Sequence, residues 1–364
     1  MKLSDVFTAP VALPVIGADV TWAGPNPAAD GLCIGFDDGT IRFFEASNNY
    51  LSQPQKISPS GEAINSAAAV AKLDFAFSTR SDVTFIRAAI PGQTSRSVYR
   101  GGAHDVVATR SGSFVAALGM KGLLLVHPEG GDQQTMYVTD AQADDLYFYR
   151  LAALSDASGK EALVFANRRG GVGVSEFLGV AGQQHVHTMT FKGLDVVDVC
   201  AVAHDSLSAV AISSGAEILW IKDASRQEDP VAMKLQGVGG TIYRVQATPQ
   251  HLFVLSSDGV YAWEQLIPRL TDGDGPVSTD APLVLPAEAI DMSVYGNERL
   301  LLVMAKNTVM QADIRALFSR PRSEGSASFL AGHRYAPLPQ IEFQRFAPVW
   351  HRSDIVRSTM VGAA

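Results

Sequence analysis

The sequence predicts an all-β chain: a seven-bladed β-propeller of four-stranded antiparallel blades, followed by a non-propeller C-terminal extension. Three observations carry that prediction. An apolar run, a short turn of Gly, Asp, Asn or Ser, and a second alternating run recur seven times. The turn-to-turn intervals are 43, 40, 48, 45, 44 and 48 residues, the spacing of a four-stranded blade. Helical periodicity is nearly absent before residue 310. Finally, 364 residues that are 47% hydrophobic and 18% charged exceed what one core usually organises, whereas a repeat adds core unit by unit.

Each unit reads as a hairpin with one strand before it and one after. The first hairpin joins 32–36 to 40–45 through Asp37-Asp38-Gly39, and later turns lie around Asp82, Gly122, Gly170, Gly215, Gly259 and Asn307. Candidate innermost strands precede the hairpins at 18–23, 64–70, 105–109, 146–154, 195–202, 242–248 and 289–294. Several are rich in small residues, as expected where strands crowd toward a central channel. Outer strands are expected at 56–58, 135–139, 187–191 and 231–235. The seventh unit offers three strands, ending near Ile314, and an open blade would leave an unpaired edge. Residues 11–16 are the expected closing strand, their prolines tolerated on an outermost strand; 341–346 is the alternative. The expected division is therefore 1–314 for the ring and 315–364 for the extension.

Composition bounds the function. A formal charge of −8 and a pI near 5.5 disfavour a nucleic-acid partner, because phosphate neutralisation needs a basic face. Only Cys33 and Cys200 are present, so neither a disulfide framework nor a cysteine zinc site can be built. That usage fits a reducing compartment, and a cytoplasmic location is expected. No apolar stretch approaches the roughly 18–20 residues that span a bilayer, so no membrane insertion is expected. Asp5, Pro10 and Pro14 interrupt what a secretory core would keep continuous.

Two segments resemble the WD-repeat family. GFDDGTIRFFE, residues 35–45, is similar to the aspartate-rich turn of a WD blade and the strand after it. Residues 101–129, GGAHDVVATRSGSFVAALGMKGLLLVHPE, resemble a whole blade, with His104 where the family places its loop histidine. The terminal Trp-Asp is missing throughout; Phe43-Phe44, Leu219-Trp220 and Ala262-Trp263 are the nearest echoes. The resemblance implies a platform for protein partners rather than any one reaction.

Candidate sites follow from the predicted ring. The hairpin turns should emerge on one face, where Arg80, Lys121, Arg168 and Arg169 form a basic arc suited to an acidic partner. The connections into the innermost strands carry Glu62, Asp105, Asp144, Asp145, Asp195, Glu288 and Asp291, an acidic inner rim. His185 and His187 would share a strand face but have no third ligand nearby in sequence. The glycine string from Gly170 to Gly173 lacks the spacing and following helix of a phosphate loop, and reads as a hairpin turn. From Arg315 onward the chain has seven arginines, no lysine and three acids. There Arg320, Arg322, Tyr335, Phe343, Phe346 and Trp350 are the residue types that anchor interfaces. The expected function is a non-catalytic scaffold or adaptor subunit whose partners are other proteins, with no catalytic residue, cofactor or metal assigned. A propeller enzyme of the lactonase type, with its site at the acidic channel mouth, is the alternative.

Overall fold

The computed structural model describes residues 11–12 and 18–318. Within that span it leaves out 27–30, 46–49, 53–54, 59–60, 72–73, 88–95, 129–132, 137–146, 168–170, 178–185, 190–194, 203–205, 227–229, 273–281, 286–287, 296–297 and 305–307.

Among the described residues the strands form seven antiparallel sheets. Their first strands, in chain order, are Val20–Asn26, Ser66–Ala71, Asp105–Ala108, Phe148–Ser155, Val196–Ala201, Ile242–Ala247 and Ala289–Tyr295. Each of these packs on the next, and the seventh packs back on the first, so they line the inside of a closed ring. Every sheet then steps outward through a hairpin, as Gly31–Phe36 and Thr40–Glu45 do in the first. There the outer place is shared by Tyr50–Leu51 and Gln55–Lys56. In the seventh sheet the outer place is taken by Val11–Ala12, with Val11 opposite Val309 and Ala12 opposite Thr308. The alternative closing segment, 341–346, lies outside the described residues.

Strand alternation explains how the ring is held together. Successive side chains point to opposite faces, so Leu252 and Val254 pack toward the fifth sheet while Phe253 and Leu255 pack toward the seventh. Seven apolar clusters result, one at each junction between neighbouring sheets. Trp220 and Trp263 are buried in the cluster between sheets five and six.

One short helix departs from the all-strand expectation before residue 310, and a second follows the last strand. Leu266–Asp272 buries Leu266, Ile267 and Leu270 over the junction of sheets five and six, and Pro268 falls in its first turn, where a missing N–H costs nothing. Ile314–Phe318 follows the last strand of the seventh sheet, with Ile314 and Leu317 buried against the sixth and seventh sheets. Phe318 stacks on His251, ring centroids 4.9 Å apart. The chain beyond residue 315 therefore begins packed on the ring, and the rest of the extension, from residue 319, is outside the described residues.

Candidate functional site

Near the start of the innermost strands one register position recurs. Five of these strands carry a bulge there, and the residue after it is Trp22, Arg150, Asp198, Arg244 or Asp291. Ser66 and Asp105 hold the same place in the second and third sheets, opposite Ser78 and Ala117. From the third sheet onward the ring thus reads Asp105, Arg150, Asp198, Arg244, Asp291, alternating in charge.

These residues connect neighbouring sheets. Asp105 Oδ2 accepts the Leu151 N–H at 2.9 Å, Asp198 Oδ2 accepts the Val245 N–H at 2.8 Å, and Asp291 Oδ2 accepts the Ala23 N–H at 3.3 Å. Ser66 Oγ accepts the Val106 N–H at 3.0 Å and donates to Asp105 Oδ1 at 2.8 Å. Four of the seven junctions are therefore clipped by the same geometry. Arg244 adds a bridge, with Nε 2.9 Å from Asp291 Oδ1 and Nη1 3.5 Å from Asp198 Oδ1. Burial disfavours its charge, but Asp291 and Asp198 outweigh that and raise its pKa. Burial pushes the Asp198 carboxyl up, against the pull of Arg244 and Arg150.

The predicted acidic inner rim divides between buried and exposed acids. Asp105 and Asp291 are buried and engaged in inter-sheet hydrogen bonds, because a carboxylate inside the ring needs several donors to replace lost water. Glu62 is turned onto the second hairpin turn, accepting from Ser81 Oγ at 2.6 Å and Ser81 N at 3.2 Å. Those bonds, the side-chain one above all, hold its carboxyl below the usual range. Asp195 and Glu288 are exposed, and Asp144 and Asp145 lie outside the described residues. Among the described residues no group of three or more His, Cys, Asp and Glu stands close enough to hold a metal ion.

The hairpin turns and the connections into the innermost strands do meet on one face. Phe148 N bonds Gly119 O, Ser214 N bonds Asp195 O, and Ser257 N bonds Thr241 O. Arg80 and Lys121 are both exposed there. They are linked by the stretch between them: Lys121 Nζ stands 5.8 Å from the centre of the Tyr99 ring, and Gly102 lies so close to the Arg80 carbonyl that a Cβ would meet it at 2.7 Å. The neighbouring Glu62 offsets part of the Arg80 charge. Arg168 and Arg169, and in the extension Arg320, Arg322, Tyr335, Phe343, Phe346 and Trp350, fall outside the described residues, as do His185, His204 and Asp205.

Next to Lys121 the face becomes aromatic. His104 Nε2 and Tyr147 Oη are 2.6 Å apart, and Tyr149 packs on the same imidazole at 5.5 Å. Gly119, at φ 64°, leaves room for both His104 and Tyr147; a Cβ there would stand 3.2 Å from His104 Nε2. Met120 projects from this turn, 56% exposed. The Arg150 guanidinium lies 5.1 Å from the Tyr149 ring centre.

A solved structure fixes what this ring is. The β-propeller domain of Cps50 (Swd1) from Myceliophteria thermophila superimposes with a TM-score of 0.62, covering 84% of this chain and 100% of that one at 13% sequence identity. The fold is a β-propeller. No protein-family model matches the chain, and no curated protein is significantly similar to it in sequence.

Within the propeller, His104 pairs with Tyr147 of the next blade. Of the glycine string read as a hairpin turn, Gly171 to Gly173 lie in the strand Gly171–Phe177, and Gly170 is outside the described residues. Gly173 lies flat against the Phe165 ring, which a Cβ would overlap. Tyr147, Tyr149, Arg150 and Met120 were not singled out from the sequence. The bulges that bring Arg150 and the aspartates into one register belong to the fold, and no sequence spacing marks them.

Proposed function

We propose that the chain is a non-catalytic interaction scaffold, an adaptor subunit of a larger intracellular, cytoplasmic complex. Its partners are other proteins with acidic surfaces, held by the turn-bearing face and by the C-terminal extension. One observation carries the reading: Lys121, Met120, Tyr147, Tyr149 and Arg150 lie along one contiguous stretch of that face. Met120 and Lys121 are exposed and the other three half-buried, and Met, Tyr and Arg side chains are enriched in protein interfaces. By contrast, the buried acids of the channel are engaged in joining blades, which speaks against the lactonase-like alternative. No helix among the described residues is long and apolar enough to cross a membrane. The extension adds a second anchor, with Arg320, Arg322, Tyr335, Phe343, Phe346 and Trp350 as its contacts, and Arg168 and Arg169 extend the basic arc.

The test is co-purification of the tagged full chain beside a version lacking residues 319–364. Release of a partner while circular dichroism stays β-rich is expected. Identical co-purifying proteins at identical stoichiometry would remove the extension from the proposal.

A further inference from the structure

Arg150 and Arg244 occupy the same position in blades four and six, yet their surroundings differ. Arg244 is bracketed by Asp198 and Asp291 and donates to both. Arg150 also stands between two aspartates in the ring order, Asp105 and Asp198, but among the described residues no carboxylate lies within ion-pair distance of it. Its Nε is buried and has no hydrogen-bond partner among the described residues. The neighbouring acids are already engaged. Asp105 spends Oδ1 on Ser66 and Val106 and Oδ2 on Leu151, and Asp198 spends Oδ2 on Val245 while Oδ1 faces Arg244.

A buried guanidinium N–H without an acceptor is costly, and guanidinium is the group best shaped to take a carboxylate through two parallel bonds. Tyr149 holds one side of it, while His104, fixed by Tyr147, holds Tyr149. The surface beyond, around Lys121, Arg100 and Arg80, is exposed and basic. From this geometry we infer that Arg150 is a recognition site for a carboxylate, supplied by an acidic segment of a partner protein that reaches the inner rim at blade four across the basic surface of blades two and three. The ligand class rests on the scaffold reading; the vacant donor does not.

The probe is a fluorescein-labelled hexaglutamate peptide with blocked termini, titrated into the full-length protein by anisotropy, beside the hexaglutamine peptide and with inorganic phosphate as competitor. Arg150→Gln is expected to weaken hexaglutamate binding by at least about tenfold with an unchanged melting midpoint, and Arg150→Lys by less. Hexaglutamine should not bind. The wild-type Arg150 Nε–H resonance should shift on peptide addition. No hexaglutamate binding by the wild type, equal binding of hexaglutamine, or undiminished binding by Arg150→Gln would each overturn the inference. Displacement by phosphate at concentrations that leave peptide no preference would mark a free-anion site and overturn it too. If Arg150→Gln fails to fold, the Nε–H resonance decides, an unmoved signal refuting the site. Full retention of co-purifying partners by Arg150→Gln would sink this site and leave the scaffold reading standing, whereas Arg150-dependent hexaglutamate binding by a chain that captures no protein would sink the scaffold reading and the protein source of the carboxylate but not the carboxylate site.

Discussion

Replacing Asp291 by Ala strikes the point where blade seven meets blade one. Its carboxylate accepts from Ala23 N at 3.3 Å, Met292 N at 2.9 Å, Arg244 Nε at 2.9 Å and Arg244 Nη2 at 3.2 Å. Removing it strands a buried guanidinium whose remaining carboxylate, Asp198, is 3.5 Å away. Breaking one partner of a buried ion pair costs about 3–5 kcal/mol, and the lost backbone acceptor lies within that range rather than beyond it, since some relaxation is expected. Asp291→Asn keeps one acceptor oxygen and should fall about midway. Urea denaturation followed by tryptophan fluorescence measures the cost, with Trp22, Trp220 and Trp263 buried in the ring. The double variant Arg244→Leu/Asp291→Ala removes the stranded charge and should be at least about 1.5 kcal/mol more stable than the two single costs would sum to. A single-variant loss under about 1 kcal/mol, or additivity within about 0.5 kcal/mol, would refute the clip.

Other expectations are independent of it. Gly39 and Gly112 share a φ of 81°, but a Cβ on Gly39 would meet Ser58 Cβ at 2.6 Å while one on Gly112 meets nothing within 4 Å. Gly112→Ala should cost about 1 kcal/mol and Gly39→Ala clearly more; equal urea midpoints would contradict this. Tyr147→Phe removes the 2.6 Å bond to His104 and should destabilise by about 1–2 kcal/mol, with a melt indistinguishable from wild type as the adverse result. Burial depresses the His251 pKa below its ordinary value, with Glu264 opposing. The unfolded chain therefore takes up the proton first as pH falls, and stability present above about 6.5 is lost through the folded pKa. His251→Phe should flatten the melting profile in that window, and an unchanged slope would exclude the histidine as its source. Burial pushes the Cys33 thiol up to about 12 and the Cys200 thiol higher still, so neither should react with a thiol reagent before unfolding.

The repeat was legible because hairpin turns and strand alternation are local. Asp37-Asp38-Gly39 shows the reason in one place: Gly39 supplies the positive φ, and Asp38 Oδ1 accepts from Thr40 N and Oγ1. The roles of the acids were not legible in the same way. Asp105 and Asp195 look alike as residues before an inner strand, yet one is buried against Leu151 of the next blade and the other is exposed. The difference is made by donors 46 or 47 residues away across a junction, which no local pattern reports. The aromatic patch was hidden for the same reason, since Tyr147 and His104 are 43 residues apart. Of the predicted basic arc, Arg80 and Lys121 stand exposed on the turn face.

The claim that this face docks protein partners is tested most directly by quantitative co-purification of the native full chain carrying Arg80→Glu and Lys121→Glu together, beside a control with Arg226→Glu. Arg226 is exposed and pairs locally with Asp223. The expected result is loss of a salt-sensitive partner from the face variant alone, with both variants melting like the wild type. Identical partners at identical stoichiometry in all three proteins would contradict the account.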